Sequence, residues 1–343
     1  MAVKKCPELT VMSGIAIIFV LLIHSCGSCL GNLYPGMEYA ESDAFLLTLR
    51  NLVTPAVPMF LFASGFKYAL HDSDTPYRMF LKKRLPRVLM SFFIINTIFW
   101  IIDSIIWMEH FDAVLLLKTY ISSWLGNTVA YPLWYIPMYC CVIIFCPLMC
   151  RVIKKSWIRF LIYLVVGCAQ QVLETQYPLL GRYPIAFIAY PTFFELGVMA
   201  HDYDFFSRLK GKAWVTFPYV GLVVAISAIA PVISRTALMQ YCIYSIWGTL
   251  VCYSVCIYLS ENKLLMRVGL YSYPLFLFHE PVIGRLIGSI LKEIGISVSG
   301  VYVTLWTICT FLLTILLAKA FEFIKMDSVL WKFSLRGMRG TTS

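Results

Sequence analysis

From Leu9 to Leu30 the chain reads LTVMSGIAIIFVLLIHSCGSCL, 22 residues of mostly apolar sequence with one imidazole, His24, in the second half. About 20 apolar residues suffice to cross the hydrocarbon core of a bilayer. An ionisable side chain inside such a span is costly and marks a functional site by default. The run is too long for a signal-peptide core and lacks a small-x-small cleavage site behind it, so it reads as a retained span.

Composition extends this reading to the whole chain. Of its 343 residues 60% are hydrophobic and only 13% charged, about half the charged fraction of a soluble domain. The formal net charge of +10 is spread over short loops rather than gathered in a stripe, which argues against nucleic acid as a partner and for a membrane protein in contact with lipid. Apolar runs predict about ten transmembrane helices, near 10–30, 51–70, 88–107, 133–150, 157–173, 184–200, 213–233, 240–259, 270–291 and 300–322. The fold class is therefore an all-α, polytopic helix bundle, read as a single membrane domain over 1–343 with a short basic tail from about 324.

Loop charges alternate. Lys4 and Lys5 precede the first span, and Arg78, Lys82, Lys83, Arg84 and Arg87 occupy the second loop. Arg151, Lys154 and Lys155 fill the fourth, Arg208, Lys210 and Lys212 the sixth, and Lys263 and Arg267 the eighth. The loops between hold about one basic residue each. Positive charge on the inner side places both termini in the cytoplasm. The longest outer loop, 108–132, contains AVLLLKTYISSWL, which reads as an amphipathic helix on the membrane surface.

Twelve cysteines, mostly intramembrane, read as small apolar packing residues. Cys26 and Cys29 form a single CGSC, which packing or a labile disulfide would explain; no second such pair and no histidine cluster point to a metal.

The intramembrane polar residues carry the chemistry. Ser13 and His24 lie eleven residues apart on one face of the first span, roughly 16 Å along the axis. His279 sits in the ninth span between Pro274 and Pro281, with Glu280 beside it. Each histidine reads either as a catalytic base or as a partner in an interhelical hydrogen bond. Arg84 and Arg87 present planar forks suited to phosphate, or serve as cytoplasmic anchors. Glu195, within PTFFELG, either pairs structurally or lines a cavity.

These residues fall in an order that resembles the acyltransferase-3 family of integral membrane acyltransferases, which includes bacterial polysaccharide O-acetylases. SGIAIIFVLLIH resembles the opening helix that ends on His24, and VPMFLFASGF, with Ser64, the F-x-SGF signature. FLKKRLPRVL resembles the R-x-x-R step on Arg84 and Arg87. LWYIPMYCCVIIFCPLM resembles the LWFL-type helix, and VGLYSYPLFLFHEP the late motif on Ser272 and His279. The chain departs from the pattern at Ser13 and Thr10, where the family carries a basic residue and an aspartate.

The resemblance implies an O-acetyltransferase whose donor is acyl-CoA, in the first instance acetyl-CoA, with no metal. Arg84 and Arg87 would hold its phosphates and His24 would act as the base. Ser64, Glu195, Ser272 and His279 would support substrate or structure. The acceptor would be a hydroxyl of a cell-envelope or exported glycan, and the location a bacterial plasma membrane. Two other readings stand beside it. A similar membrane domain is joined to the serine racemase of vancomycin resistance, which implies a serine-like transporter, and the change at Ser13 fits a non-catalytic partner of an envelope assembly. The sequence leaves the oligomeric state open.

Overall fold

A chain in hydrocarbon must satisfy each backbone N–H and C=O within its own segment, which leaves helices as the economical solution. The computed structural model describes residues 6–34, 43–107, 112–125, 131–174, 176–181, 184–204, 218, 221 and 237–327, and among these every regular element is helical. Seven helices are long and apolar enough to cross a membrane, and the protein is an integral membrane protein.

The first span is α1 (Pro7–Leu33), about 40 Å at 1.5 Å per residue. Pro7 opens it, where a missing N–H costs nothing. Leu9, Met12, Ala16, Ile17, Leu21 and Cys26 are buried on several sides, so α1 runs through the middle of the bundle rather than along its edge.

The second span begins earlier than its apolar core suggests. Asp43 caps α2 (Ala44–Val53) by accepting from the Leu46 amide, and after a break at Thr54–Pro55 the chain continues as α3 (Ala56–His71). The third, α4 (Tyr77–Trp107), contains Pro86 and extends a further eleven residues before the expected 88. Its outer half leaves Ile98, Ile101, Ile102 and Ile105 exposed, a face suited to lipid.

The outer-loop helix α5 (Ala113–Trp124) forms as expected and packs against α4. Its polar side faces α4: Asn96 donates to Ser123 at 2.7 Å, Thr97 pairs with Tyr120 at 3.0 Å, and Trp100 donates to Thr119 at 3.1 Å. Val114, Leu117 and Ile121 point away from the protein. Polar groups that neighbouring helices can satisfy turn inward, and the apolar ones are left to the hydrocarbon.

A 3-10 turn at Tyr131–Trp134 leads into α6 (Tyr135–Val152), followed by α7 (Ser156–Glu174). The expected span 184–200 is interrupted: a 3-10 turn (Ile185–Ala189) precedes the short α8 (Pro191–Asp202). Most of α8 is buried, from Thr192 through Val198. Of the expected span 213–233 only residues 218 and 221 are described. Next comes α9 (Ala237–Tyr258), whose Gln240–Trp247 stretch is π-helical. The expected span 270–291 is helical but broken into α11 (Ser272–Phe278), a π turn (His279–Gly284) and α12 (Arg285–Glu293), and is preceded by α10 (Lys263–Leu270). The last span is α13 (Ser299–Phe323); the tail beyond 327 lies outside the described residues.

Glycines set two of the closest helix contacts. A Cβ on Gly65 of α3 would run into the Phe194 carbonyl of α8, and one on Gly197 of α8 into the Phe62 carbonyl of α3. Gly14 of α1 and Gly269 of α10 make the same reciprocal arrangement, against the carbonyls of Leu265 and Thr10. Association inside a membrane relies on such close packing, because lipid supplies little hydrophobic drive. The glycine of the SGF sequence is thus a packing residue, and it fixes the rotation of α3 that aims Ser64.

Candidate active site

His24 lies on α1, and His279 opens the π turn between α11 and α12. Pro281, two residues on, has no amide hydrogen for the helical ladder, and the helix widens into a π turn over this stretch. The Trp306 indole of α13 donates to the Gly284 carbonyl at 2.9 Å, which satisfies a backbone acceptor at the turn's end and fixes α13 against it.

The His24 and His279 rings stand 5.0 Å apart, centroid to centroid, tilted by 56°. Sequence spacing alone gave no link between them, 255 positions apart; the packing of α1 against the broken helix supplies it. His279 is fully buried. Its Nδ1 lies 2.9 Å from the Leu275 carbonyl and 3.0 Å from the Phe276 carbonyl. Carbonyls only accept, so Nδ1 carries the hydrogen and donates it. In the neutral ring Nε2 then keeps a lone pair, and it has no hydrogen-bond partner among the described residues. An imidazole with its tautomer set by backbone and its other nitrogen open is arranged as a base.

Aromatic side chains lead away from this pair. Phe276 lies 6.2 Å from the His279 ring, Tyr135 of α6 packs edge-on to Phe276 at 5.4 Å, and Tyr139 stacks on Tyr135 at 5.7 Å. The Tyr139 hydroxyl pairs with Ser64 of α3 at 3.0 Å. His24, Tyr135 and Tyr273 are half-buried rather than sealed. Ser64 is therefore joined to the histidines through tyrosines that the sequence reading did not single out. Their signal was present in the four-residue spacing of Tyr135 and Tyr139, which puts both on one face of a helix.

Arg84 stands at the other end of this track. It donates to Asp72 at 2.6 Å, and Lys83 lies 3.6 Å from the same carboxylate. Asp72 is buried and was likewise missed, because two aspartates, Asp72 and Asp74, in a basic loop carry no local pattern that singles one out. The side chain of Arg87 lies outside the described residues.

Two expected site residues are placed elsewhere. Glu195 forms a buried ion pair with Arg159 of α7 at 3.0 Å and accepts from the Cys150 thiol at 3.3 Å. It ties α6, α7 and α8 together and is a structural residue. Ser272 begins α11, seven residues before His279, about 10 Å along the axis, beyond direct contact with the ring. Ser13 donates to the Leu9 carbonyl of its own helix at 3.0 Å and brings no charge to the bundle. Cys26 and Cys29 are both buried free thiols, so packing is the reading the structure supports.

A family model for an acyltransferase domain, that of the acyltransferase-3 proteins, matches residues 7–321, from the first turn of α1 to the last turn of α13. No curated protein and no solved structure matches the chain.

Proposed function

The chain belongs to the acyltransferase-3 family, and we propose that it moves an acyl group, in the first instance acetyl, from cytoplasmic acyl-CoA to a hydroxyl of an exported or cell-envelope glycan at the bacterial plasma membrane. The observation that carries this reading is the pair of imidazoles, His24 and His279, 5.0 Å apart within the bundle with the His279 tautomer set by two carbonyls.

In this reading one imidazole nitrogen of the pair takes the proton from the acceptor hydroxyl as its oxygen attacks the thioester carbonyl. The carbon–sulfur bond breaks, an ester forms, and the proton is returned to the departing thiolate. His24, from α1, stands beside the His279 ring at 5.0 Å between centroids, so both imidazoles are placed to serve the same acceptor. Positioned proton transfer of this kind contributes about 10²–10⁴-fold to rate. Lys83 and Arg84 give the far end of the track the charge that donor phosphates require. Asp72 holds the Arg84 fork in place.

The test is transfer from radiolabelled acetyl-CoA in proteoliposomes with a glycan acceptor, comparing the wild type with His24→Ala. Transfer by the wild type and its loss in a folded variant is the expected result. Full activity of His24→Ala would remove that residue from the chemistry. Solute uptake that does not depend on acyl-CoA would favour the transporter instead.

A further inference from the structure

Lys67 is the one residue of α3 that carries a full positive charge within the apolar span Ala44–His71. Phe60, Ser64, Lys67 and His71 recur at helical spacing and share one face of α3. Phe60 and Ser64 meet Tyr135 and Tyr139 on that face, and His71 is exposed at its end. Lys67 therefore lies between the rim and the aromatic track. It is half-buried, so its ammonium keeps open surface on that face.

An intramembrane lysine normally pairs with a carboxylate. Lys67 has none among the described residues. Arg84, a like charge, is bonded to Asp72, the residue that caps the C-terminal end of α3 just beyond Lys67. The nearby carboxylate, Asp72, is already held by Arg84 and Lys83. Arg84 also keeps a buried Nε–H without an acceptor. Two cationic donors with unused hydrogens at the same end of α3 offer a place for an anion.

We propose that Lys67 and Arg84 form an anion-binding site, one turn inside the rim, that takes the diphosphate of the acyl donor. The identity of the anion rests on the acyltransferase reading; the existence of the site does not. Lys67 adds a compact point charge to the planar fork of Arg84. A diphosphate held here would direct its flexible arm along the Ser64–Tyr139–Tyr135 track. From Lys67 to Phe60 this path climbs about 10 Å on α3, toward Phe276 and the histidines.

The experiment uses the full chain in nanodiscs, with inorganic pyrophosphate as the first probe and acetyl-CoA as the second. Wild type, Lys67→Met and Lys67→Arg are compared, with thermal melting to verify folding and Lys67→Gln in reserve should the Met variant not fold. Pyrophosphate binding is expected to weaken by about tenfold or more in Lys67→Met, the loss of one charge-assisted hydrogen bond, and to survive in Lys67→Arg. The KM for acetyl-CoA should rise in parallel, while binding of pantetheine, which lacks the diphosphate, stays unchanged. No pyrophosphate binding to the wild type, or equal binding to wild type and Lys67→Met, overturns the site and leaves Lys67 as a lysine reaching for the headgroups. Lys67-dependent pyrophosphate binding in a protein that never transfers acetyl would keep the site and refute the acyltransferase reading. Acetyl transfer with an unchanged KM in Lys67→Met would do the reverse.

Discussion

At the scale of single residues, His279 is the more tightly specified of the two histidines. Its Nδ1–H is committed to the Leu275 and Phe276 carbonyls, so the effect of a substitution depends on which nitrogen it imitates. An asparagine amide can donate to the same carbonyls but offers nothing at Nε2. His279→Asn is therefore expected to melt near the wild-type temperature while acetyl transfer falls about 10²–10⁴-fold. A variant that transfers normally would make the ring structural. Arg84 calls for a paired design, because its loss also strips Asp72 of its closest partner. Arg84→Gln should lower stability by about 1–3 kcal/mol, and adding Asp72→Asn should recover much of that in a thermal melt. Donor affinity should stay low in both. Recovery of donor binding in the double variant would show that Arg84 acts only by satisfying Asp72.

At the scale of elements, the SGF sequence divides into roles that its letters do not announce. Gly65 sits against the Phe194 carbonyl and Gly197 against Phe62, so a larger residue at either must part α3 from α8. Gly197→Val is expected to cost about 1–3 kcal/mol or more through overpacking, read as a lower melting temperature and poorer yield from detergent. An unaffected protein would mean that the two helices can slide without loss. The spans themselves were legible, because apolar length is a direct record of bilayer thickness. Their interruptions were less so. The π turn after His279 and the 3-10 entry to α8 depend on how neighbours such as Trp306 meet the chain, and hydropathy does not encode that. The α5 helix shows the same limit: its amphipathicity is legible, but the partners of its polar face, Asn96, Thr97 and Trp100 of α4, are not. At the site, His24 and His279 stood out because ionisable groups in a span are rare, and Arg84 because it belongs to a concentrated basic loop, whereas Asp72 and Tyr139 gain meaning only from Arg84 and Ser64 on other helices; Lys67 carries the same signal as the histidines. Glu195 stood out for the same reason as the histidines and proved to be the other half of Arg159.

At the scale of the whole molecule, the basic loop at the start of α4 shares an end of the bundle with the start of α1, since Cys6 and Leu9 pack in one apolar cluster with Phe66 of α3, whose last turn leads into that loop. Positive charge collects on the cytoplasmic side of membrane proteins, so that end is expected to face the cytoplasm. The opposite end of α4, about 45 Å away for a helix of this length, joins α5. Single reporter cysteines test this: Ser73→Cys, exposed in the basic loop, and Ala113→Cys, exposed at the start of α5. None of the twelve native thiols is classed as exposed, which keeps the background for a membrane-impermeant maleimide low. In intact cells Ala113→Cys should react and Ser73→Cys should not, with Ser73→Cys becoming reactive after lysis. The inverse pattern would put Arg84 and Lys67 outside, away from the cytoplasmic pool of acyl-CoA. The donor could not then enter by the basic rim, and the track from that rim to the histidines would have to carry the acceptor instead.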